Sequence, residues 1–108
     1  MNDPDVEFDP ELDRLERISN GVLDLIASRR FEDAAKSCET LRRDFPDQMD
    51  WMERTAMLHE AKGEIAPAIE HYQECIRFIQ RNGEGLDPDA VKWYREKITI
   101  LRACTGGP

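Results

Sequence analysis

Apolar residues recur along this chain at steps of three and four, and nowhere do they alternate with polar ones over a useful length. The first stripe is Leu12, Leu15, Ile18, Val22, Leu25 and Ile26. It follows Asp9-Pro10-Glu11, where an N-cap acid, a proline at the first helical position and a carboxylate near the positive dipole end mark a helix start. The stripe predicts a helix from Pro10 to about Arg29-Arg30. Gly21 interrupts it at a cost of about 1 kcal/mol relative to Ala, for which a close helix–helix contact is the expected reason. A second helix is predicted from about Glu32 to Asp44, with Ala34, Ala35, Cys38 and Leu41 inward and Pro46 as the stop. A third runs from Asp47 or Gln48 to Ala61, carries Trp51, Met52, Thr55, Ala56, Leu58 and His59 for packing, and closes at Lys62-Gly63. The fourth has Pro67 in its first turn, carries Ala68, Ile69, Tyr72, Cys75, Ile76 and Ile79, and ends at the break Asn82-Gly83-Glu84-Gly85. Asp87-Pro88 opens a fifth through Val91, Trp93, Tyr94, Ile98 and Leu101 to Cys104. The pattern predicts an all-α fold of about five helices.

A shift of 34 residues lays the chain on itself. Val22 then falls on Ala56, Phe31 on Ile65, Ala34 on Ala68, Cys38 on Tyr72 and Leu41 on Cys75. In this spacing, and in Ala34…Cys38…Pro46 followed by Gly63…Ala68…Tyr72, the chain resembles the tetratricopeptide repeat family. The resemblance covers about residues 15–82. It implies antiparallel helix–turn–helix units at about 15–48 and 49–82, stacked as an α-solenoid, with a capping helix at about 87–104. Departures are plain. The first-helix positions hold Ile18, Gly21, Val22 and Leu25, then Met52, Thr55, Ala56 and His59, and Arg29 stands at the first turn glycine. A generic α-α solenoid stays open beside the family reading.

The length of 108 residues fits one domain, expected at 10–104 between an acidic segment at 1–9 and a tail at 105–108. Formal charge is −8, and it is unevenly placed: residues 1–16 hold seven acids and one base, the rest sixteen acids and fourteen bases. An acidic chain repels nucleic acid, so no nucleic-acid partner is expected. No apolar run reaches membrane-spanning length, and the first ten residues lack the apolar core of a secretory signal. With three cysteines in no CxxC pair, reduced thiols and a cytoplasmic location are expected.

Candidate chemistry is thin. His71 and Cys75 stand four apart on one predicted helix, with Cys38 and His59 as further candidate ligands, but buried thiols at these repeat positions are ordinary core residues. Nothing supplies an orienting group or an oxyanion hole for a cysteine nucleophile. Carboxylates such as Glu60 and Glu64, or Glu70 and Glu74, read as solvated helix faces. Glu32–Lys36 and Glu39–Arg43 read as i,i+4 pairs on a charged face. No catalytic residue, metal or cofactor is expected.

The family resemblance implies a concave groove lined by the first helix of each unit. It assigns Ser19, Leu23 and Ile26 from the first helix, Glu53, Arg54, Met57 and Glu60 from the third, and Val91, Tyr94 and Arg95 from the cap. Leu23, Ile26, Met57, Val91 and Tyr94 would form an apolar strip with Arg54, Glu60 and Arg95 at its edges. Such a strip suits a peptide or the apolar face of a helix from another protein. Self-association through the same face, and plain internal packing, remain open at this stage. The positions of a carboxylate clamp hold Ser19, Leu23, Arg54, Glu84 and Pro88, of which only Arg54 suits that role.

Overall fold

The computed structural model describes residues 9–82 and 88–105. Five helices follow in order: α1 (Pro10–Ala27), α2 (Phe31–Asp44), α3 (Asp50–Ala61), α4 (Ile65–Arg81) and α5 (Pro88–Thr105). No described residue lies in a strand. The acidic residues 1–8, the break at Gly83-Glu84-Gly85, the cap residue Asp87 and the tail 106–108 lie outside the described residues.

Local sequence explains how each helix begins and ends. The Asp9 side chain accepts from the backbone N–H of Glu11 at 2.9 Å and of Leu12 at 3.4 Å, satisfying two donors that a helix start leaves unpaired. Gly63, at the turn after α3, takes a φ of +78°, a left-handed conformation that costs glycine nothing. Arg29, at the turn after α1, takes φ +59°. That turn ends α1 at Ala27, short of the expected Arg29-Arg30. The start of α3 also differs. Pro46, Asp47 and Gln48 form a turn in which the Gln48 N–H donates to the Phe45 carbonyl at 3.1 Å, and the helix begins only at Asp50.

The 34-residue register survives in three dimensions. α2 and α4 start at Phe31 and Ile65, and α1 and α3 end at Ala27 and Ala61. Val22 and Ala56, and Ala34 and Ala68, are all buried, as are Cys38 with Tyr72 and Leu41 with Cys75. Small residues at matched places let the helices of each antiparallel pair approach, and the larger residues fill the spaces beside them. α2 then packs on α3, α1 on α3, and α4 on α5.

Burial divides into two cores. Leu15, Val22, Ala34, Cys38, Leu41 and Leu58 form the first, inside the α1–α2 hairpin and under α3. Met52, Ala56, Ala68, Tyr72, Cys75, Ile79, Tyr94, Ile98 and Leu101 form the second, between α3, α4 and α5. Trp51 packs against both and ties them together.

Two local expectations need correction. A Cβ built at Gly21 meets nothing within 4 Å, so the glycine is not held by a close helix contact. Neither Glu32–Lys36 nor Glu39–Arg43 closes to an ion pair. Arg43 turns instead to Asp44 at 2.9 Å, and Arg14 reaches the same carboxylate from α1 at 2.6 Å.

Candidate functional site

α1, α3 and α5 enclose a recess of about 290 Å³ with α4 at its base. Ile26 comes from α1, Met57, Glu60 and Ala61 from α3, Tyr72 from α4, and Trp93 and Lys97 from α5. Trp93 stays 43% exposed, although its ring meets those of Tyr72 and Tyr94 edge-on at 6.0 and 5.2 Å. Aromatic pairs of this geometry fix the indole with one flank free.

The charged groups of the recess are tied to one another. Lys97 Nζ donates to Glu60 Oε2 at 3.1 Å, and Tyr72 Oη donates to Glu60 Oε1 at 2.8 Å. Lys97 Nζ also stands 5.5 Å from the centre of the Trp93 ring. Next to this group, Arg54 Nη1 donates to Glu53 Oε1 at 2.7 Å and meets Met57 Sδ at 3.4 Å. Arg54 Nε donates to the Ser19 carbonyl and hydroxyl, each at 3.0 Å, while Ser19 Oγ donates to Asp50 Oδ2 at 2.6 Å. Tyr94 Oη donates to Glu53. Burial pushes the Tyr72 and Tyr94 phenols well above the ordinary tyrosine value, and the carboxylate that each one serves pushes in the same direction. Both hydroxyls therefore remain proton donors at neutral pH.

The residues assigned to a groove are thus dispersed. Ile26, Met57 and Glu60 share the recess. Leu23 is half-buried on α1 and belongs to neither core. Arg54 and Glu53 are bonded to each other and to their neighbours. Ser19, 2% exposed, and Tyr94, 3% exposed, are interior. Neither offers a surface to a partner, because each one's hydroxyl is satisfied inside the fold. Val91 and Arg95 line a separate opening of about 530 Å³ along the outer flank of α5, with Lys92, Glu96, Thr99 and Ile100. Trp93 and Lys97, absent from the groove assignment, stand where Tyr94 and Arg95 were expected. The 34-residue shift does carry His59 onto Trp93, the one sequence signal that places it in register with α3.

On the opposite side, α2, α3 and α4 border a recess of about 230 Å³ that includes Cys38, Trp51, Thr55, His59 and His71. The His59 and His71 rings stack with centroids 5.5 Å apart and planes 3° from parallel. His59 Nδ1 meets Glu64 Oε1 at 2.8 Å. His71 Nδ1 lies 3.1 Å from Glu74 Oε1 yet out of line for a hydrogen bond, which leaves that buried nitrogen without a hydrogen-bond partner. Burial raises the Cys38 thiol above its usual value and pushes Cys75, on the other core, up to about 12. Among the described residues no group of three or more His, Cys, Asp or Glu side chains is placed to hold a metal ion. No helix of the described residues is long and apolar enough to cross a membrane.

No family model, curated protein or solved structure matches the chain.

Proposed function

We propose that this chain is a non-catalytic protein–protein interaction module of the tetratricopeptide-repeat kind, an adaptor or chaperone-like protein of the cytoplasm. It takes a peptide or helix of another protein into the concave recess. The observation that carries this reading is the half-exposed Trp93 facing Ile26 and Met57 across an opening whose charges are paired among themselves. An exposed indole beside a flexible thioether suits varied apolar side chains. The raised thiols of Cys38 and Cys75 support a structural role for both, since the thiolate is the reactive form.

The test compares proteins retained from a lysate of the source cells by the wild-type chain, Met57→Glu and Arg95→Glu, each checked for helicity. A partner of the recess is retained by wild type and by Arg95→Glu, on the outer flank of α5, and is lost with Met57→Glu. Equal retention by all three folded proteins overturns the proposal.

A second reading has its own observation. Leu12, 51% exposed, and Ile100, 60% exposed, are large apolar residues on the first and last helices. Head-to-tail stacking of copies would cover such ends, as in a structural subunit of a larger assembly. Mass growing with concentration, and reduced by Ile100→Lys, would favour it.

A further inference from the structure

We propose that His59 and His71 together bind one divalent transition-metal ion, of the zinc and nickel kind, between α3 and α4, with water in the remaining positions. The site is separate from the recess around Trp93 and does not depend on it.

Four side chains stand in a row along α4. Glu64 precedes its first residue, and Glu74 lies ten positions on, about 15 Å further along the axis. His59 Nδ1 stands 2.8 Å from Glu64 Oε1, and His71 Nδ1 stands 3.1 Å from Glu74 Oε1. The two rings lie between these carboxylates with centroids 5.5 Å apart. The carboxylates therefore draw the two Nδ1 atoms apart, which leaves the Nε2 edges on the inner side of the row. No hydrogen bond to either Nε2 occurs among the described residues.

A carboxylate behind each imidazole is the arrangement that fixes a metal-binding histidine, because the proton held on Nδ1 leaves Nε2 free to coordinate. Two imidazoles sharing one ion at a tetrahedral angle have ring centres about 5 Å apart, given nitrogen–metal distances of about 2.0–2.1 Å. The observed 5.5 Å needs about half an ångström of closure and a turn of the rings. That turn also answers the buried Nδ1 of His71, which faces Glu74 out of line and has no hydrogen-bond partner. Both rings line the recess of about 230 Å³ between α2, α3 and α4, which has room for the waters that complete the shell. Charge permits a dication there. Arg42 and Lys62 line the recess, but Glu39 lines it too, and Glu64 and Glu74 back the rings. Imidazole donors select zinc, nickel or copper over magnesium or calcium, which prefer oxygen.

Zinc calorimetry on the tag-free chain, with magnesium as control, tests the site. One zinc ion per chain is expected, at a dissociation constant of about 10 µM or below, with no response to magnesium. His59→Gln and His71→Gln, each checked for helicity, should each weaken binding at least about tenfold, while Cys38→Ser and Cys104→Ser should leave it unchanged. A second readout needs no histidine variant. Trp51 meets His71 edge-on at 6.3 Å, so nickel should quench its emission in a Trp93→Phe background and spare Trp93 in a Trp51→Phe background. Absence of zinc binding, or binding that survives either histidine variant at full strength, overturns the proposal. Binding lost with a cysteine variant alone does the same, and so does equal quenching of the two tryptophans.

Discussion

Arg29 adopts the same left-handed backbone as Gly63, 34 residues further on, with φ of +59° and +78°. Both residues sit in the turn that folds the first helix of a hairpin onto the second, so the fold demands this geometry whichever residue supplies it. Glycine meets the demand without penalty, whereas a side chain at positive φ costs about 1 kcal/mol. Arg29→Gly is therefore expected to stabilise the chain by about 1 kcal/mol, less what is lost from the guanidinium 5.3 Å over Phe31. Gly63→Ala should destabilise by about the same amount. Urea unfolding of the two variants checks both signs, and destabilisation by Arg29→Gly would count against the strained turn.

Gly21 lies in the interior of α1 with open space where a Cβ would stand. Gly21→Ala is expected to raise stability by about 1 kcal/mol, the full helix-propensity difference. A higher urea midpoint with an unchanged slope is the expected result.

α5 is fastened to α3 by side chains alone. No described Cα of the one lies within 8 Å of a Cα of the other, yet Tyr94 reaches Glu53 and Lys97 reaches Glu60. Tyr94→Phe removes a hydrogen bond to a carboxylate and should cost about 1.5 kcal/mol. Amide hydrogen exchange should then quicken in α5 more than in α1 and α2, since the first core does not touch Tyr94. Uniform acceleration would mean that α5 does not loosen by itself.

Asp44 provides a pH signature. The Arg43 guanidinium first, and that of Arg14 with it, holds the Asp44 carboxyl down at about 2. Its folded value lies below the unfolded one, so the pairing favours folding above about pH 4 and fades as pH falls toward 2. Wild type should melt above Asp44→Asn at pH 6, and the two curves should converge between pH 4 and 2. A gap that persists to pH 2 would assign the difference to something other than ionisation.

Five helices, their inner faces and the 34-residue register are legible because each is periodic. The helix period sorts Val22, Ala34, Leu41 and Ala56 inward with no knowledge of neighbours. It does not say which third helix a surface stripe meets. Ser19 looks like an open polar position on α1, and only Arg54 and Asp50, more than thirty residues away, make it an interior one. Trp93 and Tyr94 are adjacent aromatics about 100° apart around α5, so composition alone fits either to the recess. Packing decides it: Tyr94 turns inward to Glu53, and Trp93 is left facing Ile26 and Met57. α3 starts at Asp50 rather than at Asp47 or Gln48 for a related reason, since the turn after Pro46 takes up those residues.

The central claim is that the concave recess is free to receive another protein. Light scattering of wild type and Met57→Glu, across about one to a few hundred micromolar, tests it most directly. The account predicts a 12.5 kDa monomer throughout for both proteins. A wild-type dimer that Met57→Glu dissociates would contradict it, because a second copy would then already occupy the recess.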